Sequence, residues 1–184
     1  MAKTTLSVLV FATMTTSPPI KTSILTSLLL ALSLSTQALN AAVGDTAPAI
    51  ELPNLPADGA NTSLASLHGK VVYLDFWASW CVPCRVSLPM MNTLRNELKD
   101  RGFEVLAINV DAFEEDALEF LKELPVDYPV LSDVDSTSTS TYGVLGMPTA
   151  FLIDRNGVIT AIHQGFRQGD AEKIRDEVEK MLDE

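Results

Sequence analysis

Two long apolar runs lie in the middle of the chain. Residues 70–77 and 103–110 are rich in β-branched and aromatic side chains and contain few polar positions. Runs of this kind are typical of strands that are buried on both faces of a sheet. Residues 83–99, between the runs, carry apolar side chains at helical spacing, namely Leu88, Met91, Leu94 and Leu98. The pattern predicts a βαβ unit whose helix is bent by Pro89 and ended by Gly102.

Shorter elements are predicted on either side of the second apolar run. Residues 47–52 and 62–64 favour a hairpin, because the segment between them is rich in turn-forming Pro, Asp and Gly. A short acidic helix is predicted over 114–124, with Leu118 and Leu121 facing inward. A brief strand over 128–131 follows this helix.

The last third of the chain is predicted to end in a hairpin and a helix. Residues 136–141 are Ser and Thr with one Tyr following, so any helix there is weak or depends on packing. Strands over 149–153 and 158–163 are joined by the turn residues Asp154-Arg155-Asn156-Gly157. A closing helix over 170–182 has apolar residues at inward-facing spacing, namely Ile174, Val178 and Met181. A βαβ start and an antiparallel finish predict an α/β fold with a mixed central sheet covered by helices on both faces.

The first 42 residues have a different composition from the rest. They contain no acidic residue, and Lys21 precedes the apolar stretch 24–34, which is followed by small residues. This order is that of a secretory signal peptide, so residues 1–42 are predicted to be a leader and residues 43–184 a single domain. The stretch is shorter than the roughly 20 apolar residues of a membrane span, although an uncleaved anchor and a buried helix remain alternatives.

Composition and net charge indicate a folded core and disfavour some classes of partner. The chain has 184 residues, of which 47% are hydrophobic, which is enough for a real core. Its 13 basic and 24 acidic residues give a formal net charge of −11. Nucleic-acid binding depends on clustered Lys and Arg, so no nucleic-acid partner is expected, and basic partners are favoured over acidic ones.

The candidate chemistry lies where the first buried strand meets the bent helix. Both cysteines of the chain stand in the sequence Cys81-Val82-Pro83-Cys84. A helix N-terminus stabilises an anion, so the outer thiol, Cys81, is expected to form a thiolate readily, with Cys84 one turn further on. The alternatives are a purely structural disulfide and half of a zinc site. Zinc would have to recruit His68 and His163, which match no ligand spacing.

Two motifs resemble those of the thioredoxin superfamily. The first runs from Asp75 to Cys84 and is followed by Pro89, and the second runs from Gly143 to Thr149. The predicted leader, the N-terminal β-hairpin and a helix–strand insert at about 112–135 resemble the TlpA/ResA branch. The resemblance implies a thioredoxin-like fold over about residues 44–184.

The resemblance also implies roles for individual residues. Cys81 would be the nucleophile, Cys84 the resolving thiol, and Asp75 the buried acid that accepts and returns the proton of Cys84. The alternative for Asp75 is a hydrogen-bonded structural acid. Pro148 would be a cis proline facing the cysteines, with an ordinary turn proline as the alternative. The residues expected to contact the substrate are Trp80, Val82, Pro83, Met147 and Pro148, and Trp77 is expected in the core.

Three positions depart from the family pattern. Ser87 stands where the branch often has Glu, so an acid acting from that position is absent. Ala107 stands where thioredoxin has a lysine near the buried acid, so Asp75 is expected to bind its proton more tightly. Thr149 replaces a Glu of the cytochrome c maturation subgroup, which argues against that assignment.

These observations predict an exported thiol–disulfide oxidoreductase that reduces protein disulfides. The alternatives are a disulfide oxidase or isomerase, a cytochrome c maturation thioredoxin, and a non-catalytic thioredoxin-like binding module. A periplasmic location is expected, with membrane anchoring through the N-terminal segment as the alternative. The resemblance implies a membrane electron donor of the DsbD/CcdA type. A monomer without metal or organic cofactor is expected.

Overall fold

The computed structural model describes residues 40–184, so the predicted leader lies almost entirely outside the described residues. This part of the chain contains seven strands and four α-helices. The strands are β1 (Glu51–Pro53), β2 (Asn61–Ser63), β3 (Val71–Trp77), β4 (Phe103–Asn109), β5 (Val130–Ser132), β6 (Thr149–Ile153) and β7 (Ile159–Gln164). The helices are α1 (Cys84–Leu98), α2 (Glu114–Glu123), α3 (Thr137–Tyr142) and α4 (Asp170–Asp183). No helix of residues 40–184 is long and apolar enough to cross a membrane.

Five strands form the central sheet in the order β5-β4-β3-β6-β7. β3, β4 and β5 are parallel, while β6 runs antiparallel to β3 and β7 antiparallel to β6. The predicted α/β class, mixed sheet and thioredoxin-like fold are therefore confirmed. Phe76 pairs with Thr149, so the carboxyl end of β3 meets the beginning of β6 at one edge of the sheet.

β3 is buried along its whole length because helices and loops cover both faces of the sheet. Tyr73 and Trp77 point into the core layer formed with α1, α2 and α4. Leu74 and Phe76 point into the opposite layer, which includes Tyr142 of α3. The predicted two-sided burial is confirmed, and it explains why the run is apolar at successive positions.

Helix α1 carries the predicted apolar face. Leu88, Met91, Leu94 and Leu98 are all buried, and the helix continues through Pro89. Pro83, predicted in the first turn, is instead the N-cap residue. Gly102 follows with φ 98°, a left-handed conformation that favours glycine, and it separates α1 and its short 3₁₀ extension from β4.

Two of the shorter elements differ from their predictions. The most buried side chains of α2 are Ala117 and Phe120, whereas Leu118 and Leu121 are only partly buried. The reason is a tilted aromatic contact in the core, since the centroids of the Phe120 and Trp77 rings are 4.9 Å apart. β5 begins two residues later than predicted, although Tyr128 ahead of it is buried.

The predicted N-terminal hairpin is formed, but its strands are shorter than predicted. β1 and β2 pair antiparallel over three residues each, and Leu64 begins a 3₁₀ turn instead of ending a strand. The hairpin lies beside β5, because Leu55 N donates to the Val130 carbonyl oxygen at 2.8 Å. The helix–strand insert predicted at about 112–135 corresponds to α2 and β5.

The weak helix α3 forms because a buried acid caps it. The Asp133 carboxylate accepts hydrogen bonds from the backbone N–H groups of Thr137, Ser138 and Thr139 and from the hydroxyls of Ser138 and Thr139. These contacts satisfy donors that a helix N-terminus leaves unpaired. The poor intrinsic propensity of the Ser/Thr run is offset in this way.

Replacing Asp133 by Ala is expected to lower the free energy of unfolding by about 1 to 2 kcal/mol, because the cap is lost and its donors stay buried. Urea denaturation measures the change. Asp135→Ala is the matched control, since Asp135 is exposed. Equal effects of the two substitutions would contradict the capping role.

Candidate active site

The two cysteines form a disulfide at the junction of β3 and α1. Cys81 is 3% exposed and Cys84 is fully buried. Cys84 is the first residue of α1, and its N–H lies 3.2 Å from Cys81 Sγ. The outer sulfur therefore lies at the N-terminal end of the helix, where backbone N–H groups favour a negative charge.

Exposed apolar side chains lie on either side of Cys81 in the sequence and in the second motif. Trp80 is 67% exposed and Val82 75% exposed, and both belong to the loop that carries Cys81. Leu145, in the segment that precedes β6, is 95% exposed. Large apolar side chains with this exposure mark a surface suited to contact with another molecule.

The second motif lies at the same edge of the sheet. The Met147–Pro148 peptide bond is cis, as the resemblance implies for this proline. Pro148 immediately precedes Thr149, which pairs with Phe76 near the end of β3. Met147 packs against the core layer that contains both cysteines. The antiparallel pairing of β3 and β6 thus brings Phe76 and Thr149, which are 73 positions apart in sequence, to one edge of the sheet.

Asp75 is a buried acid without a partner. Its side chain is 1% exposed, and neither carboxyl oxygen has a hydrogen-bond partner among residues 40–184. Its neighbours across the sheet are Ala107 on β4 and Ala150 on β6, which supply no charge. Removal from water raises the pKa of Asp75 to about 8. No hydrogen bond among residues 40–184 supports the alternative of a hydrogen-bonded structural acid.

Comparison of the sequence with models of known protein families assigns the chain to a family. The model of the redoxin family matches residues 42–181. The chain belongs to the redoxin family. The match spans the sheet, the helices and both motifs, so the whole described domain is a redoxin.

Curated relatives of this redoxin carry a functional name. Thiol-disulfide oxidoreductase ResA of Bacillus thuringiensis subsp. konkukian is 32% identical over 140 residues, which are 76% of each chain. ResA of Oceanobacillus iheyensis is 37% identical over 125 residues, which are 67% of the redoxin and 65% of that relative.

Solved structures that are similar to the redoxin carry related functional names. A crystal structure of a candidate thiol:disulfide interchange protein DsbE from Chlorobium tepidum has a TM-score of 0.74 and 43% identity, and the match covers 78% of the redoxin and 99% of that chain. The thioredoxin domain of a thiol-disulfide oxidoreductase from Bacteroides vulgatus has a TM-score of 0.68 and 30% identity, with 77% and 98% covered. The redoxin is a TlpA/ResA-like thiol–disulfide oxidoreductase.

The three residues that depart from the family pattern lie close to the cysteine pair, to Asp75 or to cis Pro148. Ser87 is buried one turn after Cys84, and within the described part of the chain its hydroxyl has no hydrogen-bond partner. Ala107 lies directly beside Asp75. The Thr149 hydroxyl donates to the Gly146 carbonyl oxygen at 2.7 Å, so it tightens the segment before β6. None of the three supplies a charge near Asp75.

The two histidines of the redoxin lie on different elements. His163 is on β7, and its Nε2 lies 2.9 Å from Glu177 Oε2 of α4. His68 follows the 3₁₀ turn that precedes β3, at the opposite end of β3 from Cys81. Among residues 40–184, no three His, Cys, Asp or Glu side chains are grouped to hold a metal ion.

Sequence reasoning missed one residue of this redoxin's active-site region. Asp111 follows β4 and is only 2% exposed, and it binds Ser79 in the loop that carries Cys81. The available signal was the polar pair Asn109 and Asp111 at the end of an otherwise apolar run. Polar residues at the carboxyl ends of parallel strands lie at the edge where α/β folds place their sites.

Proposed function

We propose that this redoxin is an exported reductase of protein disulfides in which Cys81 attacks and Cys84 resolves. The observation that carries the assignment is the placement of Cys81 Sγ beside the first N–H of α1, with Cys84 inside the helix. A thiolate is the attacking species, and a helix N-terminus lowers the pH at which it forms. The outer sulfur thus has the activating environment.

The reaction conserves electrons over two exchanges. Cys81 thiolate attacks one sulfur of a substrate disulfide, a mixed disulfide forms, and the other substrate sulfur leaves as a thiolate. Cys84 then attacks Cys81 Sγ, the Cys81–Cys84 disulfide closes, and the second substrate sulfur leaves reduced. The substrate gains two electrons and the redoxin loses two.

Asp75 is proposed to hold the proton that Cys84 must lose. With a pKa of about 8 in the oxidised protein, Asp75 is ionised in a minor fraction of molecules near neutral pH, and it is this ionised fraction that can accept the Cys84 proton. Its neighbours Ala107 and Ala150 offer no competing charge. The proton affinity of Asp75 is therefore set by burial.

The surface around the pair supports a protein substrate. The residues called here the rim are Trp80, Val82 and Pro83, which are exposed in the loop that carries Cys81, and Leu145 and Met147, which belong to the segment leading to cis Pro148. An extended substrate segment would lie on this rim, with the backbone of Met147 beside cis Pro148 pairing with it. The exposed apolar area of Trp80 and Val82 favours a polypeptide substrate over a small thiol.

The location of the redoxin and the source of its electrons are also part of the proposed function. Residues 1–42 are proposed to direct the chain to the periplasm, and anchoring by the same segment is the alternative. Electrons would come from a membrane donor of the DsbD/CcdA type, since an oxidised compartment supplies none. The redoxin is proposed to act as a monomer.

Insulin reduction with dithiothreitol tests the activity directly. Wild type is expected to accelerate the reduction, and no acceleration would favour a binding module. The reduction potential of the Cys81–Cys84 pair tests the direction, because about 30 mV corresponds to about 1.4 kcal/mol for two electrons. A potential near that of thioredoxin, about −270 mV, is expected, and one near −120 mV would mean an oxidase.

The mature protein recovered from a bacterial periplasm is expected to lack about the first 41 residues. The reason is the order of basic, apolar and small residues in the leader. Intact-mass analysis of the recovered protein measures the N-terminus. A chain that still begins at Met1 or Met14 would show an anchor instead.

Asp75→Asn is expected to slow resolution of the mixed disulfide by about tenfold or more and the first attack by much less. The substituted side chain cannot take the proton of Cys84, and general-base contributions are about 10² or more. Stopped-flow measurements follow the two steps separately. Equal slowing of both steps would count against this role.

A further inference from the structure

The loop between β3 and α1 has one side-chain anchor outside itself among the described residues. Asp111 Oδ2 accepts from Ser79 N at 2.9 Å, and Asp111 Oδ1 accepts from Ser79 Oγ at 3.0 Å. Ser79 lies two residues before Cys81. No other side chain of residues 40–184 outside the loop hydrogen-bonds to residues 78–83.

Asp111 is itself fixed on β4. Asn109 Nδ2 donates to Asp111 Oδ2 at 2.8 Å, and Asp111 N donates to Asn109 Oδ1 at 3.1 Å. The carboxyl therefore accepts three hydrogen bonds while being 2% exposed. Carboxylate oxygens accept hydrogen bonds, and in all three contacts the Asp111 carboxyl is the acceptor.

A buried negative charge at this place opposes a second one on Cys81. Two like charges in a site out of water disfavour the ionised form of the group that titrates, and solvent salt screens a buried charge little. The helix N-terminus and the Asp111 charge thus act on the Cys81 sulfur in opposite directions.

The other charged groups near the loop do not combine burial with a direct hydrogen bond to the loop. Asp75 lies on β3 inside the core. Arg85 of α1 pairs with Glu123 of α2 at 2.6 Å, and Asp116 and Glu119 of α2 line the same open cleft beside Ser79. The α2 acids lie on the solvent side, where water screens them. Asp111 is the buried charge bound directly to the loop.

We propose that Asp111 is a positioning residue for the redox pair, which holds the Cys81 loop in place and keeps the thiolate fraction of Cys81 low. The inference rests on the proposed role of Cys81 as nucleophile. With a low thiolate fraction, Cys81 would react slowly with small oxidants in solution. It would react faster with a substrate disulfide that is bound at the rim.

Asp111→Asn separates the charge from the contacts. The new amide oxygen can accept from Ser79 N and Asn109 Nδ2, and the amide nitrogen can donate to Ser79 Oγ, so all three contacts can stay. In the reduced protein, iodoacetamide is then expected to modify Cys81 at least threefold faster at pH 6.5, with a lower pH midpoint. An equal or slower rate would overturn the electrostatic part.

Ser79→Ala separates the contacts from the charge. It keeps Asp111 and the Ser79 N–H contact but removes the hydroxyl contact. Cys81 alkylation is expected not to speed up, while closure of the mixed disulfide slows about threefold or more with an unchanged melting temperature. Unchanged closure would overturn the anchoring part, and this variant serves if Asp111→Asn does not fold.

Two controls complete the experiment. Asp116→Asn removes an exposed charge in the adjacent cleft, and Asp111→Glu keeps a negative charge; both are expected to leave the alkylation rate within twofold of wild type. A threefold acceleration by either would overturn the proposal. Peptide mapping of wild type shows independently whether Cys81 is the faster thiol, so failure of the proposed function is distinguishable.

Discussion

In the oxidised protein, Asp75→Asn is expected to raise the free energy of unfolding by on the order of 4 kcal/mol near neutral pH. Burial raises the pKa of Asp75 to about 8 from the ordinary aspartic acid value of 3.8. The unfolded chain therefore loses this proton at a lower pH than the folded chain. Each pKa unit corresponds to about 1.4 kcal/mol.

The sign of the pH dependence follows from the proton counts. Between pH 4 and 8 the folded state binds more protons than the unfolded state, so the stability of wild type falls as the pH rises through this window. The amide of Asp75→Asn does not titrate, so the difference between the two proteins grows from pH 4 to pH 8. The disulfide keeps the thiols from contributing.

Urea denaturation of both oxidised proteins from pH 4 to pH 9 measures the difference. Asp135→Asn is the matched control, because Asp135 is exposed and its substitution is expected to give a curve parallel to wild type. Parallel curves for Asp75→Asn and wild type would mean that the buried carboxyl stays charged in the folded protein.

Cys81→Ser is expected to reduce disulfide reductase activity by a factor of about 1,000 or more. A serine hydroxyl is not ionised near neutral pH and does not exchange with disulfides, so the first attack is lost. Cys84→Ser is expected to lose turnover as well, because the mixed disulfide forms but is not resolved. Initial rates of insulin reduction measure both effects.

The folded state of the serine variants is the control for this loss. Each variant lacks the disulfide, so its secondary structure and melting temperature are compared with those of reduced wild type. Retained activity of folded Cys81→Ser would exclude Cys81 as the attacking residue.

The sequence predicted the elements that local pattern determines. Residues 71–77 and 103–109 are apolar at successive positions because helices and loops cover both sheet faces, and the structure confirms both as buried strands. Helix α1 shows the predicted face because four apolar residues recur at helical spacing. The cysteine pair lies at the predicted strand–helix junction, because the apolar patterns of β3 and α1 fix where the strand ends and the helix begins.

Long-range contacts could not be predicted in this way. The bond from Ser79 to Asp111 joins residues 32 positions apart, and only the parallel pairing of β3 with β4 brings them together. The isolation of Asp75 depends on two alanines from other strands. The inward face of α2 is set by the contact of Phe120 with Trp77, which outweighs the leucine spacing.

Trapping of the mixed disulfide tests the central claim most directly. Reduced Cys84→Ser and reduced Cys81→Ser are each treated with a disulfide-bonded peptide, and the adducts are located by intact mass and peptide mapping. The account predicts a stable adduct on Cys81 of the Cys84→Ser variant and almost none on Cys84 of the Cys81→Ser variant. Adducts that form equally on both variants, or only on Cys84, would contradict it.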